Sequence, residues 1–190
     1  MDDIRLRRAA GLTLIELLIT LVVAAILMAI ALPNFSALLA AQRLRAAAND
    51  LFAAIDLTRS QAMARGHRIT LIPADADGAD WARGWIVFAD TNGNLRPDTD
   101  EEIIVRHEAL ADGIAVRYAF SATAGGATLG PYIAYNGAGR SCGAASSAAS
   151  HFGSLSLTSG TLARHIKINM LGRARICDPL RESDCTGVEP

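Results

Sequence analysis

Between Leu17 and Ala41 the chain runs for 25 residues without a single charged side chain. As a helix rising 1.5 Å per residue, such a run crosses the roughly 30 Å hydrocarbon core of a bilayer. It is too long for the apolar region of a secretory signal peptide, and no small-residue A-x-A cleavage site with a turn follows it. The segment is therefore expected to stay on the mature protein as an anchor. Arg5, Arg7 and Arg8 stand just before it. Arginines on one flank favour the cytoplasmic side, which sends the carboxyl-terminal bulk outward.

Helical spacing continues past the apolar run. Leu44, Ala47, Leu51, Ile55, Thr58 and Ala62 recur on one face, with Arg45, Asn49, Asp56 and Arg59 on others. Gly66 directly after Arg65 is a stop signal. One helix from Thr13 to Arg65 is expected, roughly 80 Å long, kinked by Pro33 about one-third of the way along. Its outer half needs a partner for the apolar stripe.

One acid, Glu16, sits near the start of the anchor, where a charge is costly and usually marks a function. The bland reading is a capping box, Thr13-Leu14-Ile15-Glu16, with Glu16 reaching back to the Thr13 amide. The string around it is more specific. "GLTLIELLITL" resembles the class III signal of type IV pilins and type II secretion pseudopilins: a short basic leader, Gly11, then an apolar helix with Glu five residues on. The resemblance implies cleavage between Gly11 and Leu12 by a prepilin peptidase, then methylation of the new amino terminus. It also implies a role for Glu16, whose carboxylate would face a neighbouring subunit's amino-terminal ammonium in a filament; a buried charge is tolerable when paired. Leu12 departs from the family's usual Phe at this position.

The remaining chain reads as β. "HRITLIP", "GWIVFAD", "EEIIVRHEAL" and "IAVRYAF" are short strand-like runs separated by Asp, Asn, Gly and Pro clusters. Ser121–Ser150 is Gly/Ala/Ser-rich and reads as mobile loop around one short strand at "PYIAYN". "SLSLTS", "RHIKINM" and "RARIC" follow. The layout is α+β: a long kinked amino-terminal helix, membrane-spanning in its first half, packed on antiparallel sheet.

Charge is spread unevenly. Asp75 to Asp112 holds ten acids against three arginines, whereas Ser121 to Cys177 holds no acid and five bases; seventeen of the eighteen basic residues are arginine. Arginine favours planar, bidentate contacts. In the basic region, "RHIKINMLGRARIC" alternates Ile166, Ile168 and Met170 with His165, Lys167 and Asn169. A three-residue hairpin loop, Met170-Leu171-Gly172, with Gly172 left-handed, pairs Asn169 with Arg173 and Lys167 with Arg175. Both arginines then share the outward face with Lys167. A two-residue loop would turn them to the core, which charge burial disfavours. The result is a basic stripe of Lys167, Arg173 and Arg175 with Arg164 at its edge, either a solvated face or a phosphate-binding strip.

Three further patterns carry competing readings. "DTNGNLRPDTDE" sets Asp90, Asn92, Asn94, Asp98 and Glu101 at positions 1, 3, 5, 9 and 12 of a calcium-loop count, but Leu95 stands where the sharp-turn glycine belongs. The competing reading is a polar hairpin connection. "GRSCG" around Ser141 matches a nucleophile elbow but lacks the strand-and-helix setting that motif needs. The four histidines show no metal-ligand spacing. No enzyme activity and no cofactor are expected. Of the three cysteines, Cys177 and Cys185 are closest in the chain and are the favoured pair, with Cys142–Cys177 as the rival pairing.

Two segments extend the resemblance. "GW-x-V-F-x-D-x-N" is similar to a strand-and-turn feature of the GspH/FimT group of minor pseudopilins, and "GRAR" matches the G-R-x-R motif linked in FimT-type minor pilins to DNA capture. The resemblance implies a leader at 1–11, a transmembrane and filament-core helix at 12–42, and a periplasmic pilin-like domain at 43–190. Implied partners are other pilins, the prepilin peptidase and an inner-membrane assembly platform. Double-stranded DNA is the further candidate, held by Lys167, Arg173 and Arg175 through its backbone, since no aromatic is interleaved for base stacking.

Overall fold

The computed structural model describes residues 13–121, 131–144 and 146–186, without the side chains of residues 30–34. Gly11, Leu12 and the three leader arginines lie outside the described residues, as does part of the expected Ser121–Ser150 loop.

Helix α1 spans Leu14–Arg65 and is helical through Pro33. Its start is the capping box read from the sequence. The Glu16 amide donates to Thr13 Oγ1 at 3.3 Å, and Glu16 Oε2 accepts from the Thr13 amide at 3.4 Å. Its end is Gly66, at φ +71°, whose amide donates to the Ala62 carbonyl at 2.9 Å. Left-handed backbone is open to glycine without a Cβ penalty, so the helix stops there.

The chain divides into two units, Met1–Ala40 and Ala41–Pro190. In the first, the described side chains from Leu14 to Met28 include eleven large exposed hydrophobics, with Leu14 at 79 %. Among the described residues no helix is long and apolar enough to cross a membrane; the apolar run continues into the five positions whose side chains are not described.

In the second unit, the remainder of α1 buries Leu44, Ala47, Leu51, Ile55, Thr58 and Ala62. The buried Thr58 hydroxyl donates to the Ala54 carbonyl at 2.6 Å, so it enters the core without an unmet donor. Against this stripe lie two four-stranded antiparallel sheets. The first has the order β3-β2-β1-β5, from β1 (Ile69–Pro73), β2 (Trp85–Phe88), β3 (Ile103–His107) and β5 (Ile133–Tyr135). The second has the order β4-β6-β7-β8, from β4 (Ala115–Phe120), β6 (Gly153–Ser159), β7 (Leu162–Ile168) and β8 (Ala174–Cys177). Leu155, Ile166 and Ile176 are in cross-strand register, and together with Ile69, Leu71, Val87 and the α1 stripe they close one core.

A 3-10 turn at Trp81–Arg83, absent from the sequence reading, precedes β2. The Asp80 carboxylate caps it by accepting from the Ala82 amide at 2.9 Å, which sends Trp81 into the core.

Candidate functional site

The β7–β8 hairpin has the three-residue register expected of it. Lys167 stands opposite Arg175 and Ile168 opposite Ala174; the Asn169 amide donates to the Arg173 carbonyl at 3.0 Å, and Gly172 has φ +78°. Period two then places Ile166 and Ile168 in the core and His165, Lys167, Asn169, Arg173 and Arg175 on the outer face. Asn169 fixes the turn, its Oδ1 accepting from the Leu171 and Arg173 amides. Ser154, Lys167, Asn169, Arg173, Arg175 and Thr186 line an open depression of about 610 Å³.

The tail from Asp178 to Thr186 folds back across this face, held by a disulfide between Cys177 and Cys185. Of the two pairings left open by the sequence, this is the one that forms; Cys142 is a buried free thiol. The pinned tail supplies partners to two of the three stripe residues. Asp184 pairs with Arg175 at 2.8 Å, and the Lys167 ammonium donates to Thr186 Oγ1 at 3.0 Å. Arg173 is exposed, and among the described residues its guanidinium makes no hydrogen bond or ion pair.

Arg164 is not at the edge of the stripe. It lies three residues from Lys167 and so faces the other side of the sheet, where it pairs with Asp178 at 2.9 Å, both side chains 14 % exposed. A phosphate would have to displace that partner.

In the β2–β3 connection, the five candidate calcium residues face protein donors, all but the Thr70 hydroxyl of β1 from their own loop. Asp90 accepts from the Gly93 amide and the Thr70 hydroxyl, and Glu101 from the Thr91 amide and hydroxyl. Asp98 Oδ2 accepts from the side-chain amides of Asn92 and Asn94, both at 2.7 Å. The oxygens of those asparagines accept the Asn94 and Arg96 backbone amides. Leu95 is left-handed at φ +61° even without being glycine. Its side chain packs with Tyr132, Ala134 and Cys142, and that burial holds a strained backbone in place.

Ser141 is 2 % exposed and donates to the Asn169 carbonyl at 3.5 Å. It follows β5 in an irregular loop, and among the described residues no helix comes after it.

A family model described as type II transport protein GspH matches residues 47–172, well over half of the chain, and a prokaryotic N-terminal methylation motif matches residues 6–32. The chain belongs to the GspH family. It is a minor pilin or pseudopilin, a membrane-anchored subunit of a kind that assembles with other pilins in a filament, and the family's members are structural rather than enzymatic.

A solved minor pilin shares this fold. The type IV minor pilin FimU of Pseudomonas aeruginosa strain PAO1 aligns in one crystal form with a TM-score of 0.54 at 14% identity, over 74% of this chain and 92% of that one. In a second crystal form the values are 0.51 and 13%, over 72% and 94%. The minor pseudopilin EpsH of the Vibrio cholerae type 2 secretion system aligns with a TM-score of 0.48 at 13% identity, over 72% and 98%. No curated protein matches the sequence significantly.

Two further residues share this outer face and are not among the stripe residues expected from the sequence. Arg117 on β4 is exposed and lies in register with Ser156 and, through it, with His165. It therefore shares the outer face with Lys167 and Arg175, but nothing local says that β4 joins this sheet. His165 was visible: the same register that pairs Lys167 with Arg175 sets His165 opposite Cys177.

Proposed function

We propose that this minor pilin is cleaved between Gly11 and Leu12 by a prepilin peptidase, methylated at Leu12 and held in the bacterial inner membrane as a single-pass protein. Residues 12–42 would form the membrane and filament-core helix, with residues 43–190 in the periplasm. The assembly platform then docks the subunit among other pilins, and no catalysis is involved. The observation that carries this reading is the exposed apolar surface of Leu14–Met28 with one acid, Glu16, at its start. In a dry filament core that carboxylate needs a cation, and a neighbour's amino terminus supplies one.

Two substitutions separate pairing from capping. Glu16→Ala removes the charge and is expected to leave the protein inserted but poorly incorporated into filaments. Thr13→Val opens the capping box while keeping the charge, and should retain incorporation. Sheared filaments probed for the subunit give the readout. Normal incorporation of Glu16→Ala would overturn the assignment.

A second reading is favoured by the β7–β8 register, which sets Lys167 and Arg175 side by side next to the unpartnered Arg173. Here the subunit also binds double-stranded DNA through its phosphates. The full-length protein in detergent should then bind duplex DNA with log K falling against log salt by about 0.9 per phosphate contact. Arg173→Ala/Arg175→Ala should bind more weakly and with a shallower slope. Absence of binding at low salt leaves the filament role alone.

A further inference from the structure

We propose that, in its dithiol state, the chain binds a divalent metal ion of the zinc class through Cys177, Cys185 and His165. Two features bring these residues together. The β7–β8 ladder sets Cys177 directly opposite His165. The tail turn, closed by hydrogen bonds from the Arg181 and Glu182 amides to the Asp178 carbonyl and from the Cys185 amide to the Glu182 carbonyl, returns Cys185 to the same point. The ligand atoms of all three then lie within 4.8 Å of one another, and all three residues are buried.

The dimensions suit the ion. Zinc binds thiolate at about 2.3 Å and imidazole at about 2.0–2.1 Å in tetrahedral geometry. That geometry puts ligand atoms roughly 3.5–3.8 Å apart. The two sulfurs, bonded to each other in this structure, must therefore separate on reduction, while the histidine ligand atom already lies within 4.8 Å of both. One ring nitrogen of His165 is already engaged, which leaves the other for an ion. Nδ1 lies 3.1 Å from the Thr186 carbonyl, an acceptor, so Nδ1 carries the proton and donates it. In the metal-bound form Nε2 would then be the ligand atom. A backbone carbonyl holding one ring nitrogen is the usual second partner of a ligating histidine. With three protein donors, a water completes the tetrahedron.

The chemistry balances without a hidden reagent. A dithiol reductant takes the disulfide to two thiols and is itself oxidised to a disulfide. The metal then binds as each thiol loses its proton, so one ion taken up releases two protons. In the oxidised chain the sulfurs are bonded to each other and offer no thiolate. Disulfide and metal are therefore alternative ways of pinning one tail, and both keep Asp184 on Arg175 and Thr186 on Lys167. Cys142 takes no part, being buried beside Tyr132 and Ala134.

The test uses the full-length protein in detergent, reduced with a phosphine and titrated with cobalt(II) without oxygen. One equivalent should bind, with a thiolate-to-metal charge-transfer band and the d–d absorption of a tetrahedral site, and zinc(II) should displace it. Cys142→Ser should bind unchanged, and the oxidised protein should show no band. His165→Gln should lose about tenfold or more in affinity. Its folding is checked by recovery of the Cys177–Cys185 disulfide on air oxidation, and Cys185→Ser should abolish the band if that variant is needed instead. The proposal fails if no thiolate band appears in reduced protein, if the band disappears with Cys142→Ser, or if folded His165→Gln binds as tightly as the parent.

Discussion

His151 lies between two aromatic rings, 4.3 Å from the Tyr132 centroid in a parallel stack and 5.2 Å from that of Phe120. Neither ring nitrogen makes a well-formed hydrogen bond among the described residues. Burial pushes its pKa below the ordinary histidine value of about 6.5, and nearby backbone of Tyr132 and Ser121 restores only part of it. A depressed folded-state pKa means that the unfolded chain binds more protons below about pH 6.5. Stability from the neutral ring is thus full above that value and drains away as pH falls towards the folded pKa. His151→Phe should therefore lose less thermal stability than the parent on going from about pH 7.5 to about pH 5.5. Equal losses in thermal melts at the two pH values would assign the acid sensitivity elsewhere. Glu16 teaches the complementary lesson. Its cap is visible in an isolated chain, whereas the charge pairing proposed for it exists only between subunits.

At the scale of elements, the hairpin that carries Arg173 is seated by Gly172. A Cβ added there would come within 2.7 Å of Tyr135 Cε1, 2.8 Å of the Ser141 amide nitrogen and 2.9 Å of the Gly139 carbonyl oxygen. The backbone is also left-handed. Gly172→Ala combines both costs and should destabilise the domain by about 2–4 kcal/mol, read as a lower denaturant midpoint. A change below about 0.5 kcal/mol would show that the hairpin shifts freely on its neighbour. All eight strands were legible because each is a short β-rich run bounded by turn formers. The 3-10 turn was not, since three residues cannot show a period. The β2–β3 connection was half legible. Its turn-forming composition predicted a polar connection, but the missing glycine was weak evidence against a left-handed sixth position, because the burial of Leu95 stabilises that backbone from outside the loop.

For the molecule as a whole, every described residue of the two apolar clusters lies at or beyond Leu44. A fragment beginning at Ala41 is accordingly expected to fold without the anchor and to melt cooperatively, within a few degrees of the domain transition in the full chain. A fragment with native secondary structure but no cooperative melt would show that the first unit is required. What the sequence determined alone was whatever depends on local order: the apolar run, the α1 stripe, the strands, and the β7–β8 register, which a three-residue loop dictates. Periodicity says which way a side chain faces, not which distant strand lies beside it. The split into two sheets, the addition of Arg117 to the basic face and the removal of Arg164 to Asp178 followed only from pairing between remote segments. So did the choice of Cys185 over Cys142, and with it the tail that sets Asp184 on Arg175: that choice rests on where the folded chain brings the two sulfurs together, which spacing along the chain does not encode.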